Sequence, residues 1–320
     1  MRLGSVIEVA RSPVGRLLGA LVGLGAVLLL LRHTGTEVVL GAIRRAAIFL
    51  PWLALLELAV LGASMAALCS LYGSAWRQIP FAQLIRTGLL GYAVAGLVPV
   101  GRTAAEATRA ALLSPYVGGA RAAAAATRLQ GVALVANALV TVPALWATHH
   151  RLGWDPVTWA VLANLVATLI LGGAILVAGF RLRVGAWLGR RSERVRDFGA
   201  SLDDHLREGA LLPPSAVAFE TLSRLFQVAQ CGLLVAAVGG APGIGAALRA
   251  EGVLLVGGAV GDLVPAQLGA TEATYTFSAR ALGLAPGDAM AIALLAHLVQ
   301  LGWVAVGSVL PLLWPAPRRS

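Results

Sequence analysis

Apolar residues fall along the chain in long runs separated by short polar breaks. A membrane-spanning helix needs about 20 mostly apolar residues. Six segments meet that requirement: roughly 14–31, 46–72, 119–148, 156–180, 214–239 and 288–312. Two further apolar stretches, 81–98 and 251–264, run into Pro99 and Pro265. Each is followed by a short helix of small, partly polar residues, 102–116 or 267–282. Proline at the end of an apolar run breaks the helix, and the freed backbone groups need protein or water around them. The pattern predicts an all-α polytopic membrane protein with about six full spans and two re-entrant or broken-helix hairpins.

The two hairpins repeat one another. Leu97 to Thr108 aligns without gaps to Leu263 to Thr274, at an offset of 166, with seven of twelve positions identical, among them Pro99/Pro265 and Glu106/Glu272. Upstream, each half has a span with an acidic residue inside it, Glu57 or Glu220. Downstream, each has a span bearing Arg128 or His297. Residues 1–320 thus read as a single integral membrane domain, with a first repeat over 46–148 and a second over 214–312.

Composition supports this reading and charge orients it. The 320 residues are 58% hydrophobic and 12% charged, with mean hydropathy +0.81. Soluble domains carry about a quarter charged residues, so a cytosolic enzyme, a disordered tail and a disulfide scaffold are excluded. All 25 basic residues are arginine, and against 15 acidic ones they leave a formal charge of +10. Seven of them (Arg181, Arg183, Arg190, Arg191, Arg194, Arg196 and Arg207) fall in the polar stretch 181–212. Such a loop marks the cytoplasmic side, and its apolar residues recur at helical spacing, as in a helix along the interface. With 181–212 inside and both hairpins returning to their own side, the halves run in opposite senses and both termini lie in the cytoplasm. Inverted repeats whose broken helices meet near the midplane are a transporter architecture. Basic Arg2, Arg11 and Arg16 precede the first apolar run without a small-residue cleavage site, which suits an uncleaved first span. Glycines at small-xxx-small spacing, such as Gly15, Gly19 and Gly23, predict close helix packing.

Ionised groups at membrane depth are costly unless paired or bound to something, so they are the candidate site. Arg102, Glu106 and Arg109 fall at i, i+4 and i+7 on one helix face. The two arginines could hold an anionic head group through charge-assisted hydrogen bonds, with Glu106 orienting them. The bland alternative is an interfacial helix whose arginines reach lipid phosphates. In the second copy the arginines become Leu268 and Tyr275, Glu272 stays, and Asp262 precedes Pro265. Glu272 serves either the ligand or the backbone N–H groups freed at the break, which Pro99, Pro265 and Gly269 mark. Glu57, Glu220 and His297 are candidates for a proton or ion relay. Glu220 and Arg224, at i and i+4, are expected to satisfy each other. Cys69 and Cys231 lie in apolar runs without metal-ligand spacing and read as small hydrophobes. The sequence holds no phosphate-cradling loop after a strand and no zinc motif. No catalytic residue, cofactor or metal is expected, and the scattered arginines do not form a nucleic-acid face.

At these residues the chain resembles the flippase-like membrane family built on the transmembrane region of lysylphosphatidylglycerol synthase. The first motif of that family reads approximately Pro-x-Arg-x-Gly-Glu-x-x-Arg, the second Pro-x-x-x-Gly-x-x-Glu. Glu106-Ala-Thr-Arg109 matches the end of the first, and Pro265 with Gly269-Ala-Thr-Glu272 the second. Arg128 corresponds to a later family arginine in the next span. Pro99 to Glu106 is about two residues longer than the pattern, which displaces Arg102. The resemblance implies lipid translocation between leaflets, without the aminoacyl-transferring domain of the full synthase.

The expectation is therefore a multi-pass protein of the bacterial cytoplasmic membrane that moves an anionic or glycosylated lipid between leaflets. Its substrate-binding residues would be Arg102, Glu106, Arg109, Arg128, Asp262 and Glu272. Membrane lipids are its expected partners, with a homo-oligomer or a membrane-associated synthase or glycosyltransferase left open. Two alternatives stand beside it: an ion-coupled transporter of a small anion, and a non-transporting partner that recruits a glycosyltransferase or synthase through 181–212.

Overall fold

The computed structural model describes Arg32 and residues 36–98, 100–189, 196–262, 264 and 267–313. The first expected span (14–31), Pro99, Pro265, Arg190, Arg191, Arg194 and both chain ends lie outside these residues. Among the described residues the protein is all helical. The helices are α1 (Thr36–Ala46), α2 (Leu50–Leu71), α3 (Phe81–Leu97), α4 (Gly101–Val117), α5 (Gly119–Leu152) and α6 (Pro156–Arg181). After them come α7 (Val184–Gly189), α8 (Arg196–Arg207), α9 (Pro214–Ala237), α10 (Ile244–Gly261), α11 (Ala270–Phe277), α12 (Ala279–Leu282) and α13 (Pro286–Leu313).

Five segments are long and apolar enough to cross a bilayer: Ile43–Leu71, Gly119–Leu152, Pro156–Arg181, Ile244–Gly261 and Pro286–Leu310. The protein is thus an all-α, multi-pass membrane protein. Three expectations change. The stretch expected over 251–264 begins earlier, at Ile244, which makes α10 18 residues long and a candidate span in its own right. The segment expected over 214–239 forms the 24-residue α9, about 36 Å at 1.5 Å per residue. It is absent from the apolar set because Glu220, Ser223, Arg224, Gln227 and Gln230 run down its length. The single helix expected over 267–282 is also split, into α11 and α12, at Ser278.

Helices α2 and α9 pack directly on each other, joined by a ladder of side-chain bonds. Ser64 Oγ donates to Glu220 Oε1 at 2.7 Å, Ser223 Oγ to the Val60 carbonyl at 3.1 Å, and Gln230 Nε2 to the Leu53 carbonyl at 3.2 Å. Numbers fall on α2 as they rise on α9, so the two helices are antiparallel. The contacts are also reciprocal. Glu57 and Glu220 each lie three residues before the crossing pair Val60/Ser223, and each reaches a polar side chain of the other helix. An isologous, two-fold contact has this form.

The surrounding packing follows the same rule. The short pair α3–α4 corresponds to α10–α11, and α4 packs on α5 as α11 packs on α13. Meanwhile α3 packs on α13 and α10 on α5, so each half leans on the last long helix of the other. At one such crossing a Cβ on Gly307 would lie 2.3 Å from the Leu89 carbonyl oxygen. Backbone thus meets backbone between α13 and α3, as small-residue contacts in membranes allow.

The arginine-rich stretch 181–212 contributes α7 and α8. α7 and α8 pack together where Gly185 and Gly199 face each other, and α8 lies against α5 and α6. Buried Asp203 ties α8 to α7 by accepting from the N–H groups of Gly185 (2.7 Å) and Ala186 (2.8 Å), at the start of α7. A carboxylate at a helix N-terminus satisfies donors that have no partner inside the helix.

Candidate functional site

The two breaks meet. Val100, with φ 55°, sits between α3 and α4, and its N–H donates to the Asp262 carbonyl at 2.8 Å, just past α10. Gln267, with φ 57°, follows in the second break and donates from Nε2 to Asp262 Oδ1 at 3.2 Å. These are the described non-glycine residues with positive φ, a conformation that costs energy and persists only where its surroundings impose it. The turn into α4 leaves no room for a side chain, since a Cβ on Gly101 would lie 2.0 Å from the Ala95 carbonyl oxygen. Gly101→Ala is therefore expected to open the first break and cost roughly 1–3 kcal/mol, seen as a lower melting temperature in detergent.

Of the α4 face, Glu106 and Arg109 are buried and paired, with Arg109 NH1 to Glu106 Oε1 at 2.6 Å. The Arg109 stem lies against Gly91 of α3, where a Cβ would come within 2.5 Å of Nε. Arg102 is half-buried and makes no ion pair within 4.0 Å among the described residues. It attracts Glu106 and Asp262 by charge and is close enough to Arg224 of α9 to repel it.

Glu220 and Arg224 do not satisfy each other. Glu220 takes its hydrogen bond from Ser64, and Arg224 turns along its own helix to Gln227. The reason is the α2–α9 contact, which pulls the Glu220 carboxylate toward α2. Arg224 Nε and Glu106 Oε2 are buried without a protein partner. Arg102 and Arg224 thus act on each other by charge, and neither forms a salt bridge within 4.0 Å among the described residues. The carboxylates of Glu106 and Glu220 also act on them.

The remaining candidates fall into separate groups. Glu57 accepts from Tyr92 (2.7 Å) and Gln230 (2.9 Å), so it belongs to the α2–α9 contact. Glu272, fully buried, closes the second break: Oε2 accepts from the Gly269 N–H at 2.8 Å, and Oε1 lies 2.8 Å from Nδ1 of His297 on α13. Arg128 faces the linker instead, its two terminal nitrogens donating to the carbonyls of Glu208 and Ala210, each at 2.6 Å. Glu251 of α10 attracts notice only in the structure, where it is fully buried beside Cys231. Its signal in the sequence is a lone acidic residue heading an apolar stretch.

The linker exit carries a pH response of its own. The side-chain bond from His205 (3.0 Å), with Arg121 and Arg128 adding positive field, holds the exposed Glu208 carboxyl below the usual glutamate range. Its native-state interactions favour the ionised form. The stabilisation is complete above the ordinary glutamate value of about 4.3 and is lost as pH falls through the lowered one. Cleavage by an acid-active protease at 208–213 should therefore rise only below about pH 4, and the rise should vanish in Glu208→Gln, which should be cut readily at every pH.

Residues 16–307 match the family model described as the lysylphosphatidylglycerol synthase TM region. No curated protein and no solved structure matches the chain.

Proposed function

The chain belongs to the lysylphosphatidylglycerol synthase transmembrane-region family, and from that premise we propose that it translocates an anionic or glycosylated lipid between the leaflets of the cytoplasmic membrane. The observation that supports the proposal is a pair of cations, Arg102 and Arg224, that act on each other by charge and form no salt bridge within 4.0 Å among the described residues. The proposed anion slot lies between them, with Arg102 two residues past the Val100 junction of the breaks and Arg224 on α9. A phosphate or carboxylate placed there gains charge-assisted hydrogen bonds and relieves the repulsion of two cations in a medium that screens them poorly.

The other residues keep that junction in shape. Arg109 holds Glu106 and the α3–α4 turn, Glu272 and His297 hold the second break, and Asp262 ties the breaks to each other. Arg128 anchors the linker. The reading assigns the protein no reaction on the lipid, and the bonds of the lipid stay intact as it moves.

A groove of about 350 Å³ between α2 and α13 favours a lipid over a small soluble anion. It is lined by Leu50, Ala54, Leu298, Val299, Trp303 and Val306, and opens at exposed Leu298 and Val306. Ala54 lies one helical turn from Glu57, so the groove gives an acyl chain a place beside the polar interior. The test is reconstitution in vesicles carrying head-group-labelled lipids, with leaflet exchange followed by quenching of the outer label. Exchange of an anionic or glycosylated lipid above the protein-free rate is expected. Its absence for every such lipid would overturn the proposal.

A further inference from the structure

The stripe on α9 places Glu220, Ser223, Arg224, Gln227, Gln230 and Cys231 on one face. It ends at Cys231 against the Glu251 carboxyl group of α10. Glu251 lies midway along α10 and is fully buried. Its Oε2 faces the Cys231 thiol at 3.4 Å, and its Oε1 has no hydrogen-bond partner. Among the described residues no ion pair within 4.0 Å includes it.

The groups around it are few. Cys231 touches it from α9, and Tyr275 of α11 lies beside Cys231, its hydroxyl donating to the Ala250 carbonyl at 3.0 Å. Glu57 of α2 repels it from farther off, and Arg224 attracts it. From α5 and α6 the neighbouring contacts are apolar, Ala144 and Val161 against Gly252, while Arg151 of α5 acts on Arg249 instead. Arg280 of α12 is exposed. A weak thiol donor is poor compensation for a buried carboxylate, whereas a carboxyl that takes up a proton carries no charge to solvate.

We propose that Glu251 is a proton-binding site coupled through Arg224 to the anion slot, so that an anionic head group and a proton load together. Arg224 is the shared element. With the slot empty, its positive field favours a negative charge on Glu251. An anion seated between Arg102 and Arg224 cancels part of that field, and Glu251 takes a proton from water to become the neutral acid. Linkage makes the effect reciprocal: a proton on Glu251 frees Arg224 for the anion. The net step is uptake of one proton and one anionic group, with no covalent bond to the lipid made or broken. The proton site stands on the geometry of α9 and α10, while its use as a driving force rests on the translocation reading.

The test is infrared difference spectroscopy of the whole protein in bilayers of ether-linked phosphatidylcholine, which contain no lipid carbonyl, with and without ether-linked phosphatidylglycerol. At fixed neutral pH, phosphatidylglycerol should increase the protonated-carboxyl stretch in the wild type and leave it unchanged in Glu251→Gln. An equal increase in both proteins overturns the site. Should Glu251→Gln fail to fold, Cys231→Ala decides, because loss of the thiol must move the frequency of that band; an unmoved band overturns the assignment. In vesicles, a pH gradient should speed phosphatidylglycerol exchange several-fold in the wild type and not in Glu251→Gln, and equal acceleration overturns the coupling. A wild type with the band response but no exchange defeats the translocation reading alone.

Discussion

Arg102→Ala is expected to slow exchange of an anionic lipid about a hundredfold while leaving the melting temperature near that of the wild type. Arg109→Ala should do the reverse, and unfold the protein before transport can be judged. The sequence treats the two arginines as partners on one helix face, but their surroundings separate them. Arg102 is half-buried and uncommitted, so its loss removes about two charge-assisted hydrogen bonds to a bound phosphate, at 1.5–3 kcal/mol each. Every 1.4 kcal/mol is a factor of ten, which puts a hundredfold at the low end. Arg109 is buried with Glu106 and packed on Gly91. Removing one partner of a buried ion pair leaves the other uncompensated and costs about 3–5 kcal/mol. The comparison is made with thermal melts and vesicle exchange on the same preparations. An Arg102→Ala protein that melts normally and exchanges lipid at the wild-type rate would remove the anion slot from the mechanism.

Most of the fold is legible in the sequence because the bilayer imposes long apolar runs. The spans expected at 119–148, 156–180 and 288–312 appear as Gly119–Leu152, Pro156–Arg181 and Pro286–Leu313. The short helices on either side of the first break are equally plain, over 81–97 and 101–117. What periodicity cannot supply is the neighbour that each polar group faces. Glu220 and Arg224 look like a pair at i and i+4, but antiparallel α2 offers Ser64 and takes the carboxylate away. Arg128 sits in a span yet reaches two carbonyls more than eighty and about eighty residues along the chain. Glu251 shows the same limit from the other side. Its importance lies in one buried carboxylate oxygen, Oε1, that no packed neighbour reaches, and no local pattern records a missing contact.

The second large effect belongs to Glu272, where two substitutions separate shape from charge. Glu272→Ala is expected to destabilise the protein by about 2–6 kcal/mol, because each of two buried groups left without a partner costs about 1–3 kcal/mol. It would leave the Gly269 N–H and the His297 ring facing an empty space at the second break. Glu272→Gln keeps the length of the side chain and one carbonyl oxygen. That oxygen can accept from Gly269, and the amide N–H₂ can donate to His297 Nδ1 when the imidazole is neutral. The expected loss is then only about 1 kcal/mol, the net worth of a typical hydrogen bond. Such a split means that the repeated glutamate holds the break through its shape and hydrogen bonds. Equal damage from Gln and Ala would mean instead that its negative charge is required. Melting curves of the two variants at neutral pH decide between these cases, because both share the wild-type backbone and differ only at the contact in question.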